Sequence, residues 1–265
     1  CLDQATKGEL GTFKSHAGTR DRPARYLERG NFMAEKETAL IVGAGQGLSA
    51  SLARLFAAEG MNVAIAARNT GKLSDLCNET GAKSYTCDAV DAVQVDTLFA
   101  AVTADICEPD IVVYNASNRA RGPVQDLDPE AVRTAIEISC FGGFLVAQAA
   151  AKQMIARNSG TILLTGASAS VKGYPNSSSF AMGKFGLRGL AQSLARELQP
   201  QNIHVAHFVI DGGIMQGPGD SRASERGEDA MLLPDEIAKD YLHVHRQHRS
   251  SWTWEIELRP WVEKF

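Results

Sequence analysis

TALIVGAGQGLSASLARLF, residues 38–56, decides how the rest of the chain is read. Thr38 to Val42 is a continuous apolar run of the kind a strand buried on both faces requires. An amphipathic, helix-like stretch follows, so the chain must turn sharply between them. Gly43, Gly45 and Gly47 supply the turn. Glycines there allow amide N–H groups to approach an anion closely, and the helix N-terminus favours its negative charge. With Gln46 and Leu48 completing the loop, the pyrophosphate of a dinucleotide is the ligand this context suits. For the glycines taken alone, a plain strand-to-helix turn is the bland alternative.

Outward from this unit, short apolar runs alternate with amphipathic stretches, the pattern of strands joined by crossover helices. The runs at Thr38 to Val42, Asn62 to Ala66, Lys83 to Thr86, Ile111 to Val113, Thr161 to Thr165, Ile203 to Val209 and Thr253 to Leu258 read as strands. Helices are expected over Gly47 to Glu59, Thr70 to Glu79, Asp91 to Ala104, Pro129 to Arg157, Ser177 to Gln199 and Pro234 to Gln247. Pro129 and Pro234 sit at first-turn positions, with acidic residues just after both. The expected fold is α/β: a single doubly wound Rossmann-type parallel sheet of about seven strands, with helices on both faces. It occupies residues 33–265, preceded over residues 1–32 by a poorly ordered extension that lacks apolar periodicity.

Composition narrows the function class. Of 265 residues, 44% are hydrophobic and 22% charged, enough for one large core, and the net charge of −4 offers nucleic acid or an anionic membrane no attraction. A small-molecule partner is expected. The five cysteines are widely spaced with no CxxC pair, which indicates neither a disulfide framework nor a zinc site and fits a cytoplasmic setting. Apolar runs such as Phe144 to Ala151 are too short to span a bilayer. On a helix, His243 and His248 fall about 140° apart, so the histidines His243, His245 and His248 read as a solvated helix side rather than a metal site.

The end of the second strand bears on which dinucleotide is held. An acidic residue there would bind two ribose hydroxyls and favour NAD, whereas this chain has Ala66-Ala67-Arg68-Asn69. Arg68 offers a planar donor fork to a 2′-phosphate, which favours NADP(H) over NAD(H). Its alternative is an exposed surface arginine.

Taken together, these residues resemble the classical short-chain dehydrogenase/reductase family from Thr38 to about Val209. Gly43 to Ser49 is similar to its glycine-rich loop, and Asp88 lies where the family contacts adenine. Tyr114-Asn115-Ala116-Ser117 is similar to the segment closing the fourth strand beside the cofactor. The resemblance implies cofactor contacts at Gly43, Gly45, Gln46, Gly47, Leu48, Arg68, Asp88, Asn115, Ala116 and Lys184. It also implies a homodimer or homotetramer built on the long fourth and fifth helices.

The same resemblance exposes a departure. The family uses Asn, Ser, Tyr and Lys, because hydride arriving at a carbonyl builds negative charge on oxygen that needs a positioned donor. Aligned without gaps, Lys184 matches the lysine, but Phe180 takes the tyrosine position, Ala167 the serine and Ser139 the asparagine. The chain is thus a divergent member with a substituted tetrad. Tyr174, on the loop before Lys184, reads as pocket wall or as a substitute donor. Arg119 and Arg121 read as ordinary surface charges, with contact to an anionic substrate the alternative. Two functions stay open: an NADP(H)-binding oxidoreductase of unknown substrate, reduction of an activated alkene being one chemistry, and a non-catalytic NADP-binding protein acting as redox-responsive partner or structural subunit.

Overall fold

The computed structural model describes residues 36–217 and 219–264, so the extension expected over residues 1–32 lies outside the described residues. From Lys36 onward the chain forms one compact unit. Its centre is a seven-stranded parallel sheet in the order β3-β2-β1-β4-β5-β6-β9. The strands are β1 (Thr38–Val42), β2 (Asn62–Ala67), β3 (Lys83–Thr86), β4 (Ile111–Tyr114), β5 (Gly160–Thr165), β6 (Ile203–Ile210) and β9 (Glu255–Leu258). The crossovers carry α1 (Leu48–Ala58), α2 (Ser74–Thr80), α3 (Ala92–Asp105), α4 (Pro129–Ile136), α5 (Gly142–Arg157), α6 (Ser178–Leu198) and α8 (Pro234–His245).

Alternation along β1 divides the core. Ala39 and Ile41 pack with Leu52 and Phe56 of α1 and Tyr241 of α8 on one face. Leu40 and Val42 pack with Phe99 of α3, Val146 of α5 and Leu187 of α6 on the other. Because both faces are covered, the central strands are buried along almost their whole length and mostly apolar rather than alternating, with buried polar exceptions such as Thr161, Thr165, His204 and His207. Burying a side chain the size of Phe56 or Leu40 contributes about 1.5–3 kcal/mol, and both are fully buried.

Helix starts follow local chemistry. The Asp91 carboxylate accepts from the N–H groups of Val93 and Gln94 at the head of α3, and Asp128 does the same for Glu130 and Ala131 ahead of Pro129 in α4.

Three expectations are corrected. The helix expected over residues 129–157 is interrupted at Glu137–Phe141 by a π-helical turn, in which the Gly142 N–H reaches back to the Glu137 carbonyl. The expected Thr70 to Glu79 helix opens as a tight 3-10 turn, Gly71–Leu73, before α2. Between Ile210 and Pro234, where no element was expected, β7 (Gly213–Ile214) pairs with β8 (Met231–Leu232) and α7 (Ser221–Arg226) lies between them. The combined span Pro129–Arg157 is long and apolar enough to cross a membrane by composition, but 56% of its 18-residue apolar window is buried inside the fold, as in a core helix.

Candidate active site

The order of the sheet reverses between β1 and β4, whose C-terminal ends diverge and open a crevice. Gly43 leaves β1 with φ +88°, and its N–H and that of Ala44 donate to the Ala66 carbonyl at 3.0 and 2.9 Å. A Cβ at Gly43 would lie 2.3 Å from the Ala116 nitrogen, so only glycine lets the loop lie against the end of β4. Gly45 faces open space, where a Cβ would meet nothing within 4 Å. Gly47, with φ +77°, heads α1 without any side-chain cap, leaving first-turn N–H groups for an anion. Ser49 fastens this loop: its hydroxyl donates to the Gly43 carbonyl at 3.1 Å and accepts from the Asn115 amide at 2.7 Å. A buried serine tying two cofactor-side segments together was not foreseen in that role.

Arg68 and Asp88 follow the neighbouring strands β2 and β3 at the same end of the sheet. Arg68 is exposed. Asp88 is half-buried, and its carboxylate accepts from the Val90 N–H at 3.3 Å.

Past Asn115 the crevice widens into a cavity of about 890 Å³ lined by Asn115, Ala167, Tyr174, Phe180 and Lys184, so most of the catalytic-end positions do come together. Lys184 is 2% exposed and donates to the Thr165 carbonyl at 2.7 Å. Burial, with the positive charge of Arg119 added, pushes its ammonium down to about 7. Its Nζ lies 5.8 Å from the centroid of the Phe180 ring, and the Arg119 guanidinium lies only 4.2 Å from that centroid. The Phe180 ring therefore offers its π face to a cation and has no hydroxyl to offer a substrate.

Ser139 does not reach the cavity. It is fully buried in the π-helical turn, and its hydroxyl donates to the Asn118 carbonyl at 3.1 Å and accepts from the Asn118 N–H at 3.3 Å. The main chain of α6 passes so close that a Cβ at Gly183 would lie 2.7 Å from the Ser139 Cβ. Ala167 has only a methyl, and its N–H is taken by the buried Ser170 hydroxyl at 3.1 Å; Ser168, next to it, lines the cavity. Tyr174 is 42% exposed and lies on the Lys172 side of the cavity, with that ammonium 5.8 Å from its ring centroid.

Two arrangements were invisible in the sequence. Arg222, on α7, also lines the cavity, held by the Asp220 carboxylate at 2.6 Å and the Ile214 carbonyl at 2.8 Å. Beneath the cavity floor, the fully buried His207 donates from Nδ1–H to the Glu255 carboxylate at 3.1 Å, and Arg188 grips that carboxylate with two bonds of 2.6 and 2.8 Å. His207 Nε2 has no partner among the described residues and abuts the main chain, so that a Cβ at Gly166 would lie 2.2 Å from it. Burial holds this imidazole down at about 4, against the pull of Glu255. One surface reading is refined and another corrected. Arg119 and Arg121 are exposed, as expected, but both stand on the cavity wall. His245 turns inward, with Nδ1 2.9 Å from the Thr161 hydroxyl and Nε2 3.2 Å from Glu37. No group of three metal-ligating side chains occurs among the described residues.

The comparisons with known proteins agree with this architecture. The family model for the short chain dehydrogenases matches residues 37–222, and the chain belongs to that family. Among curated relatives, trans-4-hydroxycyclohexanecarboxylate dehydrogenase of Sinomonas cyclohexanicum is 34% identical over 65% of this chain and 70% of its own. A short-chain dehydrogenase structure from Rhodopseudomonas palustris is 33% identical, with a TM-score of 0.74 over 85% of this chain and 99% of that one. The fold is shared as well by an alcohol dehydrogenase from the archaeon Thermococcus sibiricus, solved with 5-hydroxy-NADP, at 23% identity and a TM-score of 0.76 over 87% of this chain and 99% of that one.

Proposed function

We propose that this chain is an NADP(H)-dependent oxidoreductase that transfers hydride to or from a small molecule held in the cavity beside Phe180 and Lys184. The observation that carries the reading is the continuity of the Gly43 to Gly47 turn, Asn115 and buried Lys184 along one crevice. The residues suit a dinucleotide: uncapped N–H groups at the head of α1 would meet its pyrophosphate, open space at Gly45 would admit it, and the exposed Arg68 would pair with a 2′-phosphate. Bound there, the cofactor supplies or accepts the hydride.

The chain's own residues must handle the charge and the proton. Phe180 and Ala167 carry no donor, so substrate oxygen charge falls to the groups that remain on the cavity wall: Ser168, Tyr174 and the Arg119 guanidinium. Lys184, brought down to about 7, holds a proton that it can exchange near neutral pH. Such a site suits substrates whose hydride acceptor needs electrostatic help more than a phenolic acid, an activated alkene among them. The relative named for a hydroxycyclohexanecarboxylate supports alcohol–ketone chemistry in a neighbour of this sequence.

Assembly is part of the same proposal. Phe141, Phe144, Met182 and Phe185 are 47%, 39%, 55% and 45% exposed on the α5 and α6 side, an apolar surface that a second copy would cover in a homodimer or homotetramer. The setting proposed is the cytoplasm, in keeping with the free thiols of Cys77, Cys87, Cys107 and Cys140.

Fluorescence titration with NADPH and NADH tests the cofactor half. Arg68→Glu is expected to weaken NADPH roughly 10- to 100-fold and to leave NADH nearly unchanged. No binding of either dinucleotide at millimolar concentration ends the reading. Binding without turnover of carbonyls, alcohols or activated alkenes turns it into a non-catalytic cofactor-binding subunit.

A further inference from the structure

The cavity carries more positive charge than its own carboxylates neutralise. Asp211 is engaged with Lys172 at 3.3 Å and Arg259 at 3.9 Å, and Glu263 meets Arg226 at 4.0 Å. Asp220 is bound to Arg222 at 2.6 Å. Glu225 also lines the cavity. Arg119 and Arg121 have no acidic partner among the described residues, although both lie on the cavity wall. They are also near each other and near Arg222: burial first, and then the charges of these two neighbours, push the Arg119 guanidinium below its ordinary value. Arg119 and Arg121 are both exposed at the open side of the cavity, and like charges held near one another repel even there. An anion relieves that repulsion.

Placement specifies what the anion does. The Arg119 guanidinium lies over the Phe180 ring, its central carbon 4.2 Å from the centroid. Arg222 already has its Nε and Nη2 edge on the Asp220 carboxylate, with the Ile214 carbonyl beside it. A planar guanidinium fork recognises carboxylate and phosphate oxygens in pairs, unlike a mobile lysine.

We propose that the cavity selects substrates bearing a carboxylate or phosphate group, held by Arg119 over the Phe180 ring, with Arg121 adding the second unpaired positive charge on that wall. This deepens the oxidoreductase reading by naming the substrate class of the same site, and it explains what the phenylalanine contributes there. A tyrosine in its place would serve the reacting oxygen; the bare ring instead seats the group that holds the substrate's far charge.

Isothermal titration calorimetry of the full chain, with and without saturating NADP⁺, tests the clamp. The probes are butyrate, cyclohexanecarboxylate and octanoate, their neutral amides, and cyclohexyl phosphate. Expected is binding of at least one acid with its amide roughly tenfold weaker or worse, and a loss of about tenfold or more in Arg119→Gln. The affinity for NADP⁺ should stay within about twofold in that variant. Tighter binding of cyclohexyl phosphate than of any carboxylate upholds the clamp and assigns it to phosphate esters. Should Arg119→Gln fail to fold, Arg119→Lys, which keeps the charge and loses the fork, is expected to show an intermediate loss. Equal affinity for acids and amides, or no change in either variant, overturns the proposal. A parallel fall in NADP⁺ affinity also overturns it, since the arginines would then serve the cofactor. Acid binding in a chain that binds no NADP⁺ keeps the clamp and removes the oxidoreductase reading.

Discussion

Acidification should destabilise this protein chiefly through the His207 imidazole, with His204, which burial also holds below its ordinary value, acting in the same direction. His207 is fully buried, its Nε2 has no partner, and its folded value is held down at about 4 by burial, compared with 6.5 for a free histidine. The sign follows from linkage. As pH falls through 6.5 the unfolded chain takes up a proton that the folded chain refuses until about 4, so stability is lost across that interval and is untouched above it. Each pH unit across the window costs about 1.4 kcal/mol, which makes the full loss on the order of 3 kcal/mol. Glu255, which burial pushes up but Arg188 and then His207 together bring below its ordinary value, acts in a lower window, where protonation removes its stabilising contribution. Urea unfolding at several values between about pH 8 and pH 4.5 measures the slope. His207→Leu removes the titrating group while keeping the Arg188–Glu255 pair, so its profile should be flatter than that of the parent by most of that 3 kcal/mol. Parallel profiles for parent and variant would refute the reasoning.

Two further outcomes are expected. Phe180→Tyr combined with Ala167→Ser restores a donor pair beside Lys184 and should raise NADPH-dependent reduction of simple ketones by about 10² to 10⁴ over the parent; an unchanged rate would show that the departure extends beyond these positions. Gly43→Ala places a methyl 2.3 Å from the Ala116 nitrogen at φ +88°. It should cost about 2–5 kcal/mol in thermal unfolding and abolish NADPH fluorescence enhancement.

The fold was legible because its signals are local and repeated. Apolar runs at Ile111, Thr161 and Ile203 can bury both faces only in a covered parallel sheet, and all three became central strands within a residue or two of their expected ends. The glycine turn was equally readable, since positive φ at Gly43 and Gly47 leaves a direct mark in composition. The π-helical turn was not. Glu137–Phe141 has residues any helix accepts, and the extra residue per turn is set by packing against α6 and by Tyr114, whose hydroxyl donates to the Ile138 carbonyl. Arg222 escaped notice for a different reason: α7 is one short polar turn with no apolar periodicity, and its place on the cavity wall depends on the β7–β8 pair. Arg119 shows the limit most clearly. Its sequence neighbours say surface loop, and only the ring of Phe180, distant in sequence, makes it part of the site.

The contact between Gly166 and His207 also constrains how this protein can change. Any side chain at position 166 collides with the imidazole and with the Phe208 carbonyl, a Cβ lying 2.2 and 2.7 Å from them, and the imidazole in turn occupies space beside the glycine. Shrinking His207 first would leave a cavity beneath the site and remove one partner of Glu255, whereas enlarging residue 166 first would overpack the strand end. Either order passes through a less stable chain, so the two positions are entrenched as a pair. A lineage that has acquired both is held there, and variation that adjusts activity is channelled to the open side of the cavity, where Ser168, Tyr174 and Arg121 can be exchanged one at a time.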